Sequence, residues 1–370
     1  MAIEKIDVAR FLELYSTIPV FDVRSPGEYS HAHIPGAYSL PLFSDDERKL
    51  VGTAYKQQSR EHAIKLGLDF FGSKMRRIIE EVGERLQQGD SGTQTDTTQL
   101  KDAAPFTEHK TEVIVHCWRG GMRSAGIAWL LDLYGYKVYT IIGGYKAFRK
   151  WCLLSLEQDH PLTVLGGYTG SGKTEILHFL RQKGETIIDL EGLANHKGSA
   201  FGALGMPPQP SPEMFENKLA VELYKASLAK SPIWIEDESQ RIGLINIPNL
   251  FWQNMRIKPL YFVMIPFEQR LEFICKTYGK LQKGELAAAI TRIQKRLGPL
   301  ETKTALGWLV EDNITECFRI LLMYYDKLYK KGLGNRLAST SITTIHCNQP
   351  GTKEAASLVL KTFKPTYAQP

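Results

Sequence analysis

A cysteine stands at the end of an apolar run in HCWRGGMRS (His116 to Ser124), followed by two adjacent glycines and a stretch of helical periodicity, MRSAGIAWLLDLYG. A strand-to-helix loop of this kind can curl its backbone N–H groups towards one centre and add the positive end of the helix dipole, so it suits an anion. The same field favours thiolate over thiol at Cys117. Arg119 and Arg123 push in the same direction, which predicts a nucleophilic sulfur near neutral pH. Trp118, Gly120, Gly121 and Met122 complete the anion-binding loop. The plain alternative is a buried structural cysteine with solvent-facing arginines, and the Gly120–Gly121 pair inside the turn argues against it.

A second chemistry is written in GYTGSGKT (Gly167 to Thr174), which follows the apolar strand LTVLG and opens the periodic stretch TEILHFLRQKG. The spacing G-x4-G-K-T in that context predicts a phosphate-binding loop. Gly167, Thr169, Gly170, Ser171 and Gly172 would cradle a diphosphate with backbone N–H groups, Lys173 would reach its outer phosphate, and the Thr174 hydroxyl would complete a Mg²⁺ shell. The acidic partner is expected at the end of another strand, where IWIEDES supplies Glu236, Asp237 and Glu238. Strand alternation puts Asp237 on the opposite face from the two glutamates, so only one or two of the three can face a metal; Thr174 with Asp237 is the expected pair. DLEGLANHKGSAFGALG (Asp189 to Gly205) is poor core material and therefore a candidate site loop, with Asp189, Glu191 and His196 in support, although an ordinary surface loop reads the same way.

These loops need elements to aim them. The chain has 370 residues, 43% hydrophobic and 23% charged, which is the composition of a globular protein long enough for two domains. Strands are expected at IPVFDVR, TEVIVHC, VYTIIGG, PLTVLGG, TIIDL, PIWIEDE, PLYFVMIP and SITTIHCN, with helices between them. That alternation predicts two open α/β domains with their sites at the carboxyl ends of strands. The polar turn LEQDHP marks the boundary, giving domains over about 1–155 and 160–370; residues 87–110, polar and poor in large apolar side chains, read as a mobile surface insertion. Five scattered cysteines without a CxxC pair exclude a disulfide framework and a zinc knuckle. No run of about 20 apolar residues exists and the start lacks a signal-peptide pattern, so no membrane association and a cytoplasmic location are expected. The net charge of +6 is compatible with a polyanionic partner without requiring one.

Two resemblances bear on the first site. His116, Cys117, five further residues, Arg123 and Ser124 resemble the signature loop of cysteine-dependent phosphatases, whereas DVRSPGEYSHAHIPGA (Asp22 to Ala37) and IIGGYKAF (Ile141 to Phe148) resemble rhodanese domains over roughly residues 5 to 150. The loop from Cys117 to Arg123 is one residue longer than in sulfur-transferring rhodaneses, which suits a tetrahedral anion such as phosphate or one bearing selenium. Asp22 and Arg24 either orient that loop or simply fix a strand end, and His33 in HIPGA more often satisfies backbone groups than moves protons.

HCWRGGMRS, GGYTGSGKT, DLEGLANHKGSAFG and IEDES, in this order, resemble the tRNA 2-selenouridine synthase family across nearly the whole chain. The resemblance implies a rhodanese-like domain followed by a P-loop NTPase-like domain, and an enzyme that replaces sulfur by selenium in wobble 2-thiouridine of tRNA. It implies selenophosphate and geranyl diphosphate as co-substrates, with a partner enzyme as the source of selenophosphate. Cys117 would take selenium as a selanyl-cysteine, Arg123 and the loop would hold the departing phosphate, and the P-loop would hold the prenyl diphosphate; whether ATP binds is left open. The alternatives are a cysteine phosphatase or sulfurtransferase fused to a nucleotide-binding, kinase-like domain. For tRNA contacts, Arg292, Lys295 and Arg296 at helical spacing are candidates, with KMRRIIEEVGERL and the aromatic FWQNMRIKP behind them; Cys275 reads as a buried small hydrophobe.

Overall fold

The computed structural model describes residues 3–89, 111–337 and 340–364, and it divides into two compact units between Leu153 and Leu154. In the first unit, β1 (Glu4–Ile6), β2 (Val20–Asp22), β3 (Tyr38–Ser39), β4 (Glu112–His116) and β5 (Lys137–Ile141) form one parallel sheet in the order β1-β5-β4-β2-β3. Parallel strands covered on both faces need apolar side chains throughout, and Val113, Ile114 and Val115 of β4 are fully buried. Helices supply the cover: Met122–Tyr134 buries Ile127, Ala128 and Leu131, and Met75–Gly89 brings Ile78 and Val82 to the same core. The latter helix holds KMRRIIEEVGERL, so that segment is structural on its apolar side and carries an exposed Arg76–Glu80 pair on the other. Gln87–Gly89 end this helix rather than opening the expected insertion, whose remainder, 90–110, lies outside the described residues.

The second unit repeats the logic. β6 (Leu162–Gly167), β7 (Thr186–Ile188), β8 (Ile233–Glu236), β11 (Leu260–Met264) and β12 (Ile342–His346) are parallel in the order β12-β11-β6-β8-β7, and a short antiparallel hairpin joins β9 (Arg241–Ile242) to β10 (Ile245–Asn246). β6 is central, so the loop after it opens where the chain connections diverge to either side of the sheet. Helices Phe267–Tyr278, Lys283–Leu297, Pro299–Val310 and Ile314–Leu337 build a core of their own around Leu271, Ile290, Leu309, Phe318 and Leu322. The turn LEQDHP belongs to this unit, because Asp159 pairs with Lys258 and the Gln158 carbonyl accepts from Asn254; the division therefore falls within the helix Gly144–Glu157, a little before the expected boundary. Among the described residues no helix is long and apolar enough to cross a membrane.

Candidate functional site

Cys117 leaves β4 with only 3% of its surface exposed, while the loop from Trp118 to Met122 faces solvent. Its Sγ accepts the Gly121 N–H at 3.3 Å and lies 3.3 Å from the Ser124 hydroxyl, which itself bonds the Gly121 carbonyl. The helix that begins at Gly144 occupies the outer side of the loop: Tyr145 and Lys146 N–H groups donate to the Cys117 and Trp118 carbonyls at 2.9 and 3.0 Å. Only glycine fits at the joint, since Gly144 has φ +57° and a Cβ there would lie 2.3 Å from the Cys117 carbonyl oxygen. That is the physical content of IIGGYKAF.

Burial works to raise the Cys117 pKa, but hydrogen bonds from Ser124 and from the Ser124 and Arg119 N–H groups, with the Arg123 charge, hold it below the ordinary thiol value. Arg119 therefore acts through its backbone, its side chain being exposed, and Arg123 through its charge. Arg123 Nη1 is fixed at 2.8 Å by Glu28, whose carboxyl, despite burial, is drawn down to about 2 by Arg123, the Ser25 N–H and Arg48. Replacing Ser124 with alanine should move the midpoint of iodoacetamide alkylation of Cys117 to higher pH and slow it near neutrality; an unchanged midpoint would remove Ser124 from the account.

Beneath the loop, Arg24 grips Asp22 through Nε at 2.9 Å and Nη2 at 2.6 Å, donates to the Ala32 carbonyl, and stacks 3.9 Å from the centre of the Tyr145 ring. Burial pushes the Asp22 carboxyl up, yet the neighbouring His116 and the hydrogen bonds and charge of Arg24 keep it below its usual range, while burial holds the His116 pKa down. The pair thus props Tyr145, which in turn binds the Cys117 carbonyl, and touches the reacting sulfur only through these neighbours. His33 stacks on Tyr29 and bonds its carbonyl, a structural role.

In the second unit the P-loop follows β6 and opens the helix Lys173–Gln182. Gly172 has φ +71°, and a Cβ there would collide with the Gly351 backbone N at 2.2 Å. Arg270 braces the loop: it donates to the Thr169 carbonyl at 3.0 Å, is held bidentately by Asp326 at 2.9 and 2.7 Å, and lies 5.0 Å over the Tyr168 ring. Lys173 Nζ is 3.4 Å from the Gly167 carbonyl, and the Ser171 hydroxyl is buried with no partner among the described residues.

The acid beside Thr174 is Glu191, not Asp237. The Thr174 hydroxyl donates to Glu191 at 2.9 Å, and Glu191 shares a hydrogen bond with Glu238. Burial, reinforced by Glu191, pushes Glu238 up to about 8, and burial likewise raises Glu191 against the pull of Lys173. Asp237 lies just past the end of β8, on the edge of the same cavity, and is taken by other partners: Tyr329 donates to it at 2.6 Å and Arg336 forms a short contact, with Arg256 at 3.4 Å. Glu236 is sealed in, accepting the Leu190 N–H at 2.9 Å; burial, with Asp189 and Glu191 nearby, raises it well above the ordinary carboxyl range. Asp189 caps the short helix Leu190–Ala194 through the Gly192 N–H and meets His178 at 3.0 Å.

Lys173, Thr174, Glu191 and Glu238 open into a cavity of about 1900 Å³. His196 lines it, kept neutral by burial and with Nδ1 unpartnered among the described residues. Trp252, from FWQNMRIKP, also lines it with Nε1 on the Glu238 carbonyl, whereas Phe251 and Met255 of that segment are core. Cys275 is half-buried at the edge of the helical core, its thiol pushed up by burial.

Residues 160–346 match the family model described as tRNA 2-selenouridine synthase AAA domain, and residues 7–150 match the rhodanese-like domain. The protein named tRNA 2-selenouridine synthase in Hydrogenovibrio crunogenus is 34% identical over 84% of this chain and 88% of its own length, and that of Nitrosomonas eutropha is 35% identical over 86% and 89%. The chain belongs to the tRNA 2-selenouridine synthase family. A further relative of that name, from Nitrosomonas europaea, is 36% identical over 70% of this chain but 63% of its own length. In this family member, several site residues escape the sequence reading: Glu28, Tyr145, Arg270, Asp326, Tyr329 and Arg336. Glu28 and Tyr145 stand inside GEY and GGY, motifs that mark them as neighbours of turns but not as partners of a distant loop. Arg270, Tyr329 and Arg336 meet the P-loop or Asp237 only through the tertiary fold, and Asp326 acts there through Arg270.

Proposed function

We propose that this protein replaces sulfur by selenium in 2-thiouridine at the wobble position of tRNA; the relatives' name, tRNA 2-selenouridine synthase, supports the reading. The observation that carries the reading is Cys117, a sulfur whose thiolate is favoured in a loop with an N–H and an arginine for an oxyanion, in a chain that also holds a phosphate-binding loop. The Cys117 thiolate attacks the phosphorus of selenophosphate, so that an S–P bond forms as the P–Se bond breaks and selenide leaves for the ring carbon; Arg123 and the loop N–H groups hold the phosphoryl oxygens, and water then frees the cysteine as phosphate departs. At the second site the P-loop and Lys173 hold geranyl diphosphate, whose prenyl group is transferred to the thiouridine sulfur. Alkylation is chemically apt: a thiocarbonyl sulfur leaves poorly, whereas an S-alkylated one departs as a thiol once selenium attacks the ring carbon. Selenophosphate would come from a partner enzyme, and the reaction would take place in the cytoplasm.

The donor set at Thr174 fits a hard divalent cation, because Glu191 and Glu238 crowd two carboxyls together whose burial outweighs the pull of Lys173 and raises both. Among the described residues no three His, Cys, Asp or Glu side chains are grouped to hold a metal alone, which suits Mg²⁺ shared with substrate phosphates. Thr174 and Glu191 would hold it, and it would neutralise charge on the diphosphate. Incubating 2-thiouridine-containing tRNA with the protein, Mg²⁺, geranyl diphosphate and selenophosphate should yield 2-selenouridine by nucleoside mass spectrometry. Thiouridine recovered unaltered would refute the reading and direct attention to phosphatase substrates.

A further inference from the structure

The cavity above the P-loop is larger than its expected small ligand needs. Sites for small molecules typically occupy ~300–1,000 Å³, and this one reaches about 1900 Å³. The helix Lys283–Leu297 contributes Arg292 and Arg296 to its lining. The sequence reading groups Lys295 with them, but the structure separates it. At 3.6 residues per turn Arg292 and Arg296 are about 40° apart, while Lys295 is about 100° from Arg296. Lys295 instead borders a smaller depression together with Lys303.

The two arginines differ from the buried or half-buried ones in this unit. Arg256, Arg270 and Arg336 are each paired with a carboxylate, whereas among the described residues neither Arg292 nor Arg296 is, and Arg292 makes only a 3.4 Å contact to the Ala200 carbonyl. Both remain exposed. Unpaired guanidinium groups on a cavity wall form a ready anion site, with a fork suited to phosphate. The P-loop already supplies the donors for a diphosphate, so these arginines have a second anion to take. Tyr324 and Tyr325 line the same cavity, and the Tyr325 hydroxyl is fixed on the Ala200 N–H at 2.9 Å, giving flat aromatic surface beside the cations. Cation and aromatic surface together are what a single-stranded nucleotide requires.

We propose that Arg292 and Arg296 form a second phosphate subsite that takes backbone phosphates of the substrate RNA strand, holding a nucleotide in the P-loop cavity facing Lys173. This rests on the tRNA reading above and adds where in this unit the RNA is held.

The test is binding of a fluorescein-labelled tRNA anticodon stem-loop to the full chain across a salt series, alongside calorimetry with Mg²⁺ and inorganic pyrophosphate. The variant R292Q/R296Q should bind the RNA more weakly, with the slope of log K against log salt shallower by about 1.4, or ~0.7 for each single-strand phosphate contact. Pyrophosphate affinity should be unchanged. K295Q/K303Q removes the same charge from the neighbouring depression and should leave the slope as in the wild type. Equal losses in both variants would reduce the arginines to a general surface field and overturn the proposal, as would an unchanged slope in R292Q/R296Q. Weakened pyrophosphate with unaltered RNA binding would assign them to the diphosphate instead. If the wild type itself fails to bind the stem-loop, the tRNA reading falls and takes this proposal with it; binding by the wild type isolates the question to the arginines.

Discussion

The variant Cys117→Ser should lose selenium transfer by on the order of 10⁴-fold or more, the scale on which removal of a nucleophile registers, while S-geranylation of 2-thiouridine continues. Serine keeps the size of the side chain, so the loop with its Gly121 and Ser124 contacts is retained and the loss reports chemistry rather than folding. A hydroxyl at this position stays protonated where the thiol of Cys117 ionises, because the same hydrogen bonds and the Arg123 charge act on a far weaker acid. Lys173→Ala should show the converse, reducing geranylation by roughly 10²–10³-fold through loss of one charged donor to the diphosphate. Its overall selenation should fall only as far as the geranylated intermediate is required, and supplying S-geranylated tRNA should restore it. Both steps are read by nucleoside mass spectrometry with geranyl diphosphate and selenophosphate added separately. Equal loss of both steps in each variant would sink the division of labour between the two units.

Asp237→Ala should destabilise the second unit by about 3–5 kcal/mol, the cost of leaving a buried cation without its partner. Arg336 is fully buried against Asp237, and Tyr329 spends its hydroxyl proton on the same carboxylate while accepting the Gly167 N–H at 3.3 Å. The loss would appear as a lower urea midpoint. Mg²⁺-dependent pyrophosphate binding by the folded fraction should persist, because Asp237 is taken up by Tyr329, Arg336 and Arg256 while the Thr174 hydroxyl is held by Glu191. Glu191→Gln should behave oppositely, sparing stability and weakening the Mg²⁺-dependent part of binding. A metal defect in the Asp237 variant with unaltered stability would return the cation to Asp237.

The contrast between these acids shows where sequence reading stops. IWIEDES shows an acidic strand end after an apolar strand, and alternation separates Asp237 from its neighbours by face; both follow from local geometry. Which acid meets Thr174 depends on β6 lying beside β8 and on the helix Ile314–Leu337 bringing Tyr329 and Arg336 to Asp237, some ninety residues further along the chain. No local pattern encodes that approach. The stripe Arg292, Lys295 and Arg296 was legible as basic, yet periodicity alone does not say which side of the helix borders the cavity.

What the sequence determined is the chemistry that is local: Cys117 at a strand end before two glycines, the P-loop between its strand and helix, and two runs of alternating strands and helices. These depend on residues within a few turns of one another, so hydrogen-bonding and steric rules acting along the chain are sufficient. The tertiary structure decided the partners: Glu28 on Arg123, Gly144 against the Cys117 carbonyl, Glu191 rather than Asp237 beside Thr174, and Arg292 with Arg296 in the same cavity as Lys173. Each joins side chains or backbone groups separated by long stretches of chain, and burial selects them, since a charge or carbonyl taken from water must find its partner wherever the packed fold puts one.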